Sequence, residues 1–267
     1  MDHTLMRHIA TGLATLCFVT GAVAQSSALE AKSVAPNVEL SAAVRQELAK
    51  LTLSNAPIAP LKTVRFSVES GSTSQRLDFF YERLDSGLWG VAQLTNTGRG
   101  GVVQRQLSLE GLVLLGGTLA ASSEIELPIF IPGTRFLPFG AVKKTIQTNA
   151  VYQTESIAGD LATLTSPVAG AKFSYELSFQ TRAGSRTVNN EIKASCSVEN
   201  GSDATALNPK LRGLYLPVTC EESRNGQASI RQYAYLVDSR LYVVTAILSG
   251  ANKGVYKFSE VEYAEPK

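Results

Sequence analysis

The sequence predicts a mainly β protein, an antiparallel meander that forms a large sandwich or a curved half-barrel, with one short N-terminal helix. From residue 62 onward, apolar and polar residues alternate with a period of two, most clearly over residues 173–180. This period is typical of strands that bury one face. Turn-forming pairs such as Asn225-Gly226 separate the alternating segments and favour tight hairpins. Strands that follow one another closely in sequence usually pair in that order, which predicts the meander.

The helix is predicted over residues 41–52, where apolar residues recur every three or four positions. Ser41 is the expected N-cap, and Pro57 and Pro60 end the helical pattern. Strands are predicted within residues 64–69, 77–82, 88–95, 102–110, 112–115, 124–131, 145–155, 173–180, 187–198, 214–221, 229–237, 241–248 and 255–263.

Residues 1–24 have the features of a secretory signal peptide. Arg7 precedes an apolar run, and Ala22-Val23-Ala24 ends this run with the small residues that signal peptidase accepts. The run is shorter than the roughly 20 residues that span a bilayer, so an uncleaved membrane anchor is the less favoured alternative. The sequence therefore predicts a periplasmic or secreted protein of a Gram-negative bacterium. Its mature chain is expected to have no transmembrane span.

The predicted organisation of the rest of the chain is simple. Residues 25–61 form a flexible lead-in with the short helix, and residues 62–267 form the β domain. Residues 158–170 are rich in small residues and are a candidate sub-boundary within that domain. One continuous β unit is favoured over two.

The positions of the rarest residues restrict the chemistry. The chain has 2 His and 2 Met, and all of them precede Ile9. A mature chain without residues 1–24 therefore lacks the histidine that a Ser-His-Asp triad, a Cys-His pair or a His-ligated metal site needs. The formal net charge of +2 is too small for electrostatic capture of nucleic acid. We expect no metal and no cofactor.

Two cysteines remain after the predicted signal peptide. Cys196 and Cys220 are expected to form one structural disulfide, as is usual in exported proteins. The segment between them is polar and turn-forming. A redox-active pair is less favoured, because such pairs usually have C-x-x-C spacing.

Carboxylates are the main remaining candidates for acid–base chemistry. Glu124 with Glu126, and Glu260 with Glu262, have the spacing that places both members on one strand face, whereas Glu221-Glu222 would point to opposite faces. A His-free hydrolase of envelope glycan would need two carboxyl groups about 5–9.5 Å apart across a cleft. Solvated surface pairs are the favoured interpretation, so the sequence predicts no enzyme and keeps this hydrolase as the alternative.

One apolar region suggests binding. Residues 127–142 combine prolines with phenylalanines, and their prolines are incompatible with an ordinary central strand. The segment is interpreted either as edge packing or as an apolar binding surface. The candidate residues for that surface are Trp89, Phe130, Phe136 and Phe139.

The sequence therefore predicts an exported periplasmic β-rich protein without an identifiable active site. Its expected role is non-enzymatic binding, or an envelope-associated role, with an apolar ligand or a protein partner. A filled interior would argue against the apolar-ligand version. A membrane-spanning outer-membrane barrel is less favoured, because the chain does not end in an aromatic residue and has no evident aromatic girdles.

Overall fold

The computed structural model describes residues 34–53, 59–71, 73–96, 100–130, 138–250 and 252–264. The predicted signal peptide, residues 1–24, and the candidate Phe136 lie outside the described residues. The strands are β1 (Leu61–Ser70), β2 (Thr73–Arg83), β3 (Trp89–Asn96), β4 (Gly100–Leu109), β5 (Val113–Phe130), β6 (Pro138–Gly159), β7 (Lys172–Ala183), β8 (Arg186–Val198), β9 (Ser202–Asp203), β10 (Leu214–Arg224), β11 (Gln227–Leu236), β12 (Leu241–Ser249) and β13 (Asn252–Tyr263). The helices are α1 (Ala42–Leu48), α2 (Leu161–Thr165) and a 3₁₀ helix (Ala204–Ala206).

The predicted large sandwich or curved half-barrel is wrong, because the strands close into a barrel. Twelve antiparallel strands form the ring, and β9 lies outside it. Strands pair in sequence order, except that β8 pairs with β10, and β13 returns to β1 with Val261 opposite Val64. Alternation along a strand indicates which face is buried. It does not indicate whether the first and last strands meet, so closure was not visible in the pattern.

The helix predictions are correct only in part. Ser41 is the N-cap of α1 and its hydroxyl accepts a hydrogen bond from the Val44 amide at 3.2 Å. Val44 and Leu48 are buried, but the helix ends at Leu48, earlier than predicted. Helix α2 was not predicted, and it occupies five residues of the candidate sub-boundary.

Strands β5 and β6 form one long hairpin where the sequence predicted several shorter strands. β4 pairs with β5 only as far as Ser123, and β7 pairs with β6 only from Val151 onward. Residues 124–130 therefore pair only with β6, and residues 138–150 pair only with β5, and we call these two segments the ribbon. Pro128 lies in the ribbon, beyond the end of β4, where a missing amide hydrogen breaks no hydrogen bond to β4.

Most of the inner face of the barrel is apolar, and most of the outer face is polar. In β7, inward aromatic and aliphatic residues alternate with exposed polar ones over residues 173–180, as predicted. Several ion pairs cross between neighbouring strands on the outer face. They join Lys62 to Glu262, Lys257 to Glu69, Lys193 to Glu176, and Arg65 to both Asp78 and Glu260.

The hairpin of β11 and β12 fills the barrel at one end. Residues 233–236 and 241–243 are all buried, so both faces of this hairpin are covered. Tyr235 on one face joins the core formed with β7 and β8. Leu241 on the other face joins a second core, formed with β1, β2 and β3. The hairpin therefore lies between two hydrophobic cores.

The turn of this hairpin meets the β4–β5 turn and helix α2, and we call this the plugged end. The Tyr242 amide donates to the Glu110 carbonyl at 2.8 Å, and the Tyr242 hydroxyl donates to the Leu164 carbonyl at 2.8 Å. Gly111 has a φ of +78°, and a Cβ on it would lie 2.6 Å from the Leu241 side chain. Because turns alternate between the two ends of an antiparallel meander, the ribbon projects from the opposite end, the ribbon end.

One strand pairing in the ring is short. β12 pairs with β13 only between residues 246–249 and 252–255. The rest of the β13 edge is covered by the connection from β8 to β10, where the Asn208 side-chain amide donates to the Phe258 carbonyl at 3.2 Å. In the same connection, the Arg212 amide donates to the Tyr263 hydroxyl at 2.9 Å. This cover protects an edge that would otherwise be free to pair with another strand.

The predicted disulfide is confirmed. Cys196 on β8 lies directly opposite Cys220 on β10, with a Cα–Cα distance of 4.0 Å, and both side chains are buried. The bond therefore joins two adjacent barrel strands whose connection is long and irregular.

Replacing Cys196 and Cys220 together by Ala should lower the free energy of unfolding by about 3.5 kcal/mol, because the unfolded chain regains the freedom of the closed loop. Chemical denaturation followed by circular dichroism measures this difference. The oxidised and reduced wild-type proteins serve as controls, and the reduced protein should match the double variant. Equal stabilities of the oxidised protein and the double variant would contradict this role.

Candidate functional site

A buried ionic group lies at the plugged end. Glu110 is fully buried, with an oxygen 3.4 Å from Nη2 of Arg83 and 3.9 Å from Nε of Arg240. The Trp89 indole donates to the Arg240 carbonyl at 3.1 Å, and the Arg83 guanidinium lies 5.3 Å from the Trp89 ring centre. Burial raises the pKa of Glu110, while the charges of the two arginines oppose this rise.

A second polar group lies inside the barrel between β7, β10 and β11. Glu222 is buried and accepts hydrogen bonds from the Tyr175 hydroxyl at 3.3 Å and the Tyr233 hydroxyl at 3.0 Å. Its other oxygen lies 2.9 Å from Nε of Arg231, an ion pair without hydrogen-bond geometry. Burial raises the pKa of both tyrosines, and the charge of Glu222 raises it further. Arg224 lies on the same strand, two residues after Glu222.

In each group, positively charged or hydroxyl-bearing side chains surround a buried carboxylate, although Oε2 of Glu110 has no hydrogen-bond partner among the described residues. Such an arrangement neutralises each glutamate and does not present a free acid or base to a substrate. The chemistry that it supports is the ordering of the interior and the binding of a charged group.

Two of the three carboxylate pairs lie on the surface as expected, but the surface interpretation is wrong for Glu222, which is buried. Glu260 and Glu262 are exposed and paired with Arg65 and Lys62, and Glu124 and Glu126 are exposed on the ribbon. As predicted, adjacent glutamates point to opposite faces, with Glu221 exposed and Glu222 buried.

Two depressions that are open to solvent lie among the described residues. The larger, of about 750 Å³, is lined by Glu176, Glu221 and Glu222 together with serine, alanine and aliphatic residues. Glu176 is paired with Lys193, and the carboxylate of Glu222 is bound by the interior tyrosines and Arg231. The three glutamates that line the depression therefore supply no pair of free carboxylates for glycoside hydrolysis. The second depression, of about 490 Å³, lies beside Arg212 and Tyr263.

The structure separates the predicted apolar candidates. Trp89 is fully buried at the plugged end, within the core of β1, β2 and β3. Phe130 and Phe139 belong to the ribbon, where the Phe130 backbone lies opposite Pro138. Phe136 lies outside the described residues, so the proposed apolar surface stays a prediction.

The ribbon carries exposed aliphatic side chains on β6. Val142 is 51% exposed and Ile146 is 43% exposed, and their even spacing places them on one face of β6. Lys143 and Lys144 lie between them and are exposed. Lys143 is opposite Glu126 on β5, whereas Lys144 is opposite Ile125.

Arg224 and Arg231 were not predicted from the sequence, and Glu222 was considered only as one of two adjacent glutamates that point to opposite faces. The alternation of β10 contains the signal, because Glu222 and Arg224 have the same parity as the inward Cys220. A charged residue at an inward position of a barrel strand is unusual and marks the position for attention.

Comparison with known proteins gives no relative. The chain matches no protein family, no curated protein and no solved structure. In the part of the chain that the structure describes, no helix is both long and apolar enough to cross a bilayer.

Replacing Glu110 by Gln should lower the free energy of unfolding by about 3–5 kcal/mol, because it leaves the buried arginines without a counter-charge. The matched control is Glu260→Gln on the exposed outer face, where the loss should be less than about 1 kcal/mol. Urea denaturation measures both variants. An equal loss in the two would contradict the structural role of the buried group.

The tyrosines give a prediction for alkaline pH. Burial raises the pKa of eight of the chain's nine tyrosines, namely Tyr81, Tyr152, Tyr175, Tyr233, Tyr235, Tyr242, Tyr256 and Tyr263. Unfolded tyrosines ionise near pH 10. Because the folded pKa values are higher, the stability from these tyrosines is fully present below about pH 10 and is lost as the pH rises through the folded values.

An absorbance titration of tyrosinate, with circular dichroism on the same samples, measures this effect. Most tyrosinate should appear in one step together with unfolding, at a pH above 10. Gradual ionisation of most tyrosines near pH 10 in a protein that remains folded would contradict the burial.

Proposed function

We propose that the protein is a non-enzymatic binding protein whose ribbon pairs with an extended, acidic strand of a protein partner. We place its action in the periplasm or outside a Gram-negative cell. The free ribbon edge carries this proposal. The apolar-ligand version of the binding role is less favoured because of the filled interior.

The edge of β6 supports strand pairing. Within the described residues, 138–150 pair with β5 on one side and with no strand on the other. Residues 142–147 are all exposed. A free edge presents unpaired backbone amides and carbonyls, which is the feature that strand-adding recognition uses.

The length of the ribbon also supports a partner. Beyond β4, the seven residues 124–130 extend by roughly 23 Å at about 3.3 Å per residue. An isolated two-stranded hairpin is marginally stable in water. A third strand would stabilise the ribbon and would cover the exposed Val142 and Ile146 side chains.

The charges of the ribbon favour an acidic partner strand. Glu126 on β5 already faces Lys143, whereas Lys144 has Ile125 opposite it. A strand added at the β6 edge with a carboxylate opposite Lys144 would gain a favourable cross-strand pair.

The filled interior favours a protein partner over an apolar ligand. The β11–β12 hairpin is buried on both faces at the plugged end, and the two depressions described above are open to solvent. An apolar ligand would need a lined cavity that buries most of its surface.

The polar outer face and the disulfide support the proposed location. A barrel in a bilayer presents an apolar band outward, whereas here the outer faces of β13, β1 and β2 carry crossing ion pairs. A buried disulfide is typical of an oxidising compartment such as the periplasm.

Site-specific crosslinking followed by affinity measurement tests the ribbon. A photoreactive residue is placed at Ile146 or, as control, at Ile230, which is 41% exposed on the barrel. The protein is irradiated in periplasmic extract, and the crosslinked partner is identified, purified and titrated by calorimetry. We expect a specific adduct from position 146 and none from position 230.

Ile146→Asp should weaken binding of the purified partner at least tenfold, because it removes apolar burial and places a like charge against an acidic strand. Ile230→Asp should leave the Kd unchanged. Equal effects of the two variants, or no adduct at position 146, would overturn the proposal. An adduct between two copies of this chain would overturn the assignment to a separate acidic strand.

A further inference from the structure

Two arginines face the barrel interior near the ribbon end. Arg224 is the last residue of β10 and has the inward parity of Glu222. Arg231 on β11 lies opposite Cys220 in the ladder and is inward by the same register. The Asn225-Gly226 turn that follows Arg224 belongs to the ribbon end, so both guanidinium groups lie on the side away from the plugged end.

The interior has one carboxylate for these two positive charges. Glu222 is already bound by Tyr175, Tyr233 and Arg231. Nε of Arg224 is buried and has no hydrogen-bond partner among the described residues. The Arg224 guanidinium instead lies 5.8 Å from the ring centre of Phe179.

This arrangement is unfavourable for a protein without a ligand. Burial lowers the pKa of Arg224, and the positive charge of Arg231 lowers it further, while the charge of Glu222 opposes this fall. Two inward positive charges that share one carboxylate destabilise a fold, and a contact with an aromatic face only partly offsets that cost. Buried charges that the fold does not fully neutralise are found mostly at functional sites.

We infer that Arg224 and Arg231 form a binding site for an anionic group, a carboxylate or a phosphate, inside the barrel at the ribbon end. The anion supplies a second negative charge, because Arg224 and Arg231 share the charge of Glu222. A guanidinium binds either group through paired N–H donors, which a lysine cannot reproduce. Arg224 is only partly buried, so it is accessible from the ribbon end. The site is independent of strand pairing at the ribbon.

A phosphate group and a carboxylate group both fit this anion site, and two probes distinguish between them. Purified wild-type protein is titrated by calorimetry with inorganic phosphate and, separately, with benzoate, at constant ionic strength set by chloride. Thermal unfolding is measured under the same conditions. At least one probe should bind and should raise the Tm above that in chloride, and the stronger probe indicates the source.

Arg224→Gln should weaken binding of that probe at least tenfold. In chloride alone its Tm should be higher than that of the wild type, because the uncompensated charge is gone. Arg224→Lys should bind with intermediate affinity. The matched control is Arg76→Gln, whose side chain is 60% exposed on the outer face of β2 and which should bind like the wild type.

No response of the wild-type protein to phosphate or benzoate beyond that to chloride would overturn the site, whatever the variants do. Retained binding by Arg224→Gln, or a lower Tm of this variant in chloride, would overturn the role of Arg224.

Discussion

The structure depends on one hairpin that is buried on both faces. The end of the β11–β12 hairpin separates two hydrophobic cores, and the Tyr242 amide joins it to the Glu110 carbonyl on the opposite side of the barrel. The Glu110 carboxylate in turn holds Arg83 and Arg240. A ring of twelve strands is wide enough to enclose a cavity, and the inserted hairpin fills that space at the plugged end.

Because the hairpin fills the plugged end, the candidate binding features lie at the ribbon end. The plugged end is occupied by packed aromatics, a buried ionic group and helix α2, so it offers little surface for a ligand. The ribbon end combines a free strand edge with inward-facing arginines that exceed their carboxylate in charge. The two features bind by different interactions, because the ribbon edge offers backbone hydrogen bonds and the interior arginines offer positive charge. Each can therefore be tested without the other.

The sequence predicted local features well because their causes are local. Alternation over residues 173–180, the Asn225-Gly226 turn and the N-cap at Ser41 all depend on neighbouring residues. Barrel closure depends on the pairing of Val64 with Val261, which no local pattern reports. The apolar residues on either side of the β11–β12 turn do not alternate strictly with polar residues. This pattern indicates burial on both faces and is readable from the sequence.

The candidate site was predicted less well than the fold. The prolines of residues 127–142 correctly indicated that this region is not an ordinary central strand, and its described residues, 127–130 and 138–142, belong to the ribbon. Trp89 was grouped with it by residue type alone and belongs to the opposite end. Detecting the excess of inward positive charge requires the pairing register of three strands. The residue pattern of a single strand does not give that register.

Hydrogen exchange of the purified protein, read by mass spectrometry, tests the central claim most directly. A plugged barrel with a free ribbon predicts that backbone amides of residues 233–243 exchange most slowly, at the rate of global unfolding. Amides of residues 142–147 should exchange much faster than those of the paired barrel strands. Fast exchange in the β11–β12 hairpin, or ribbon amides as protected as the barrel, would contradict the account.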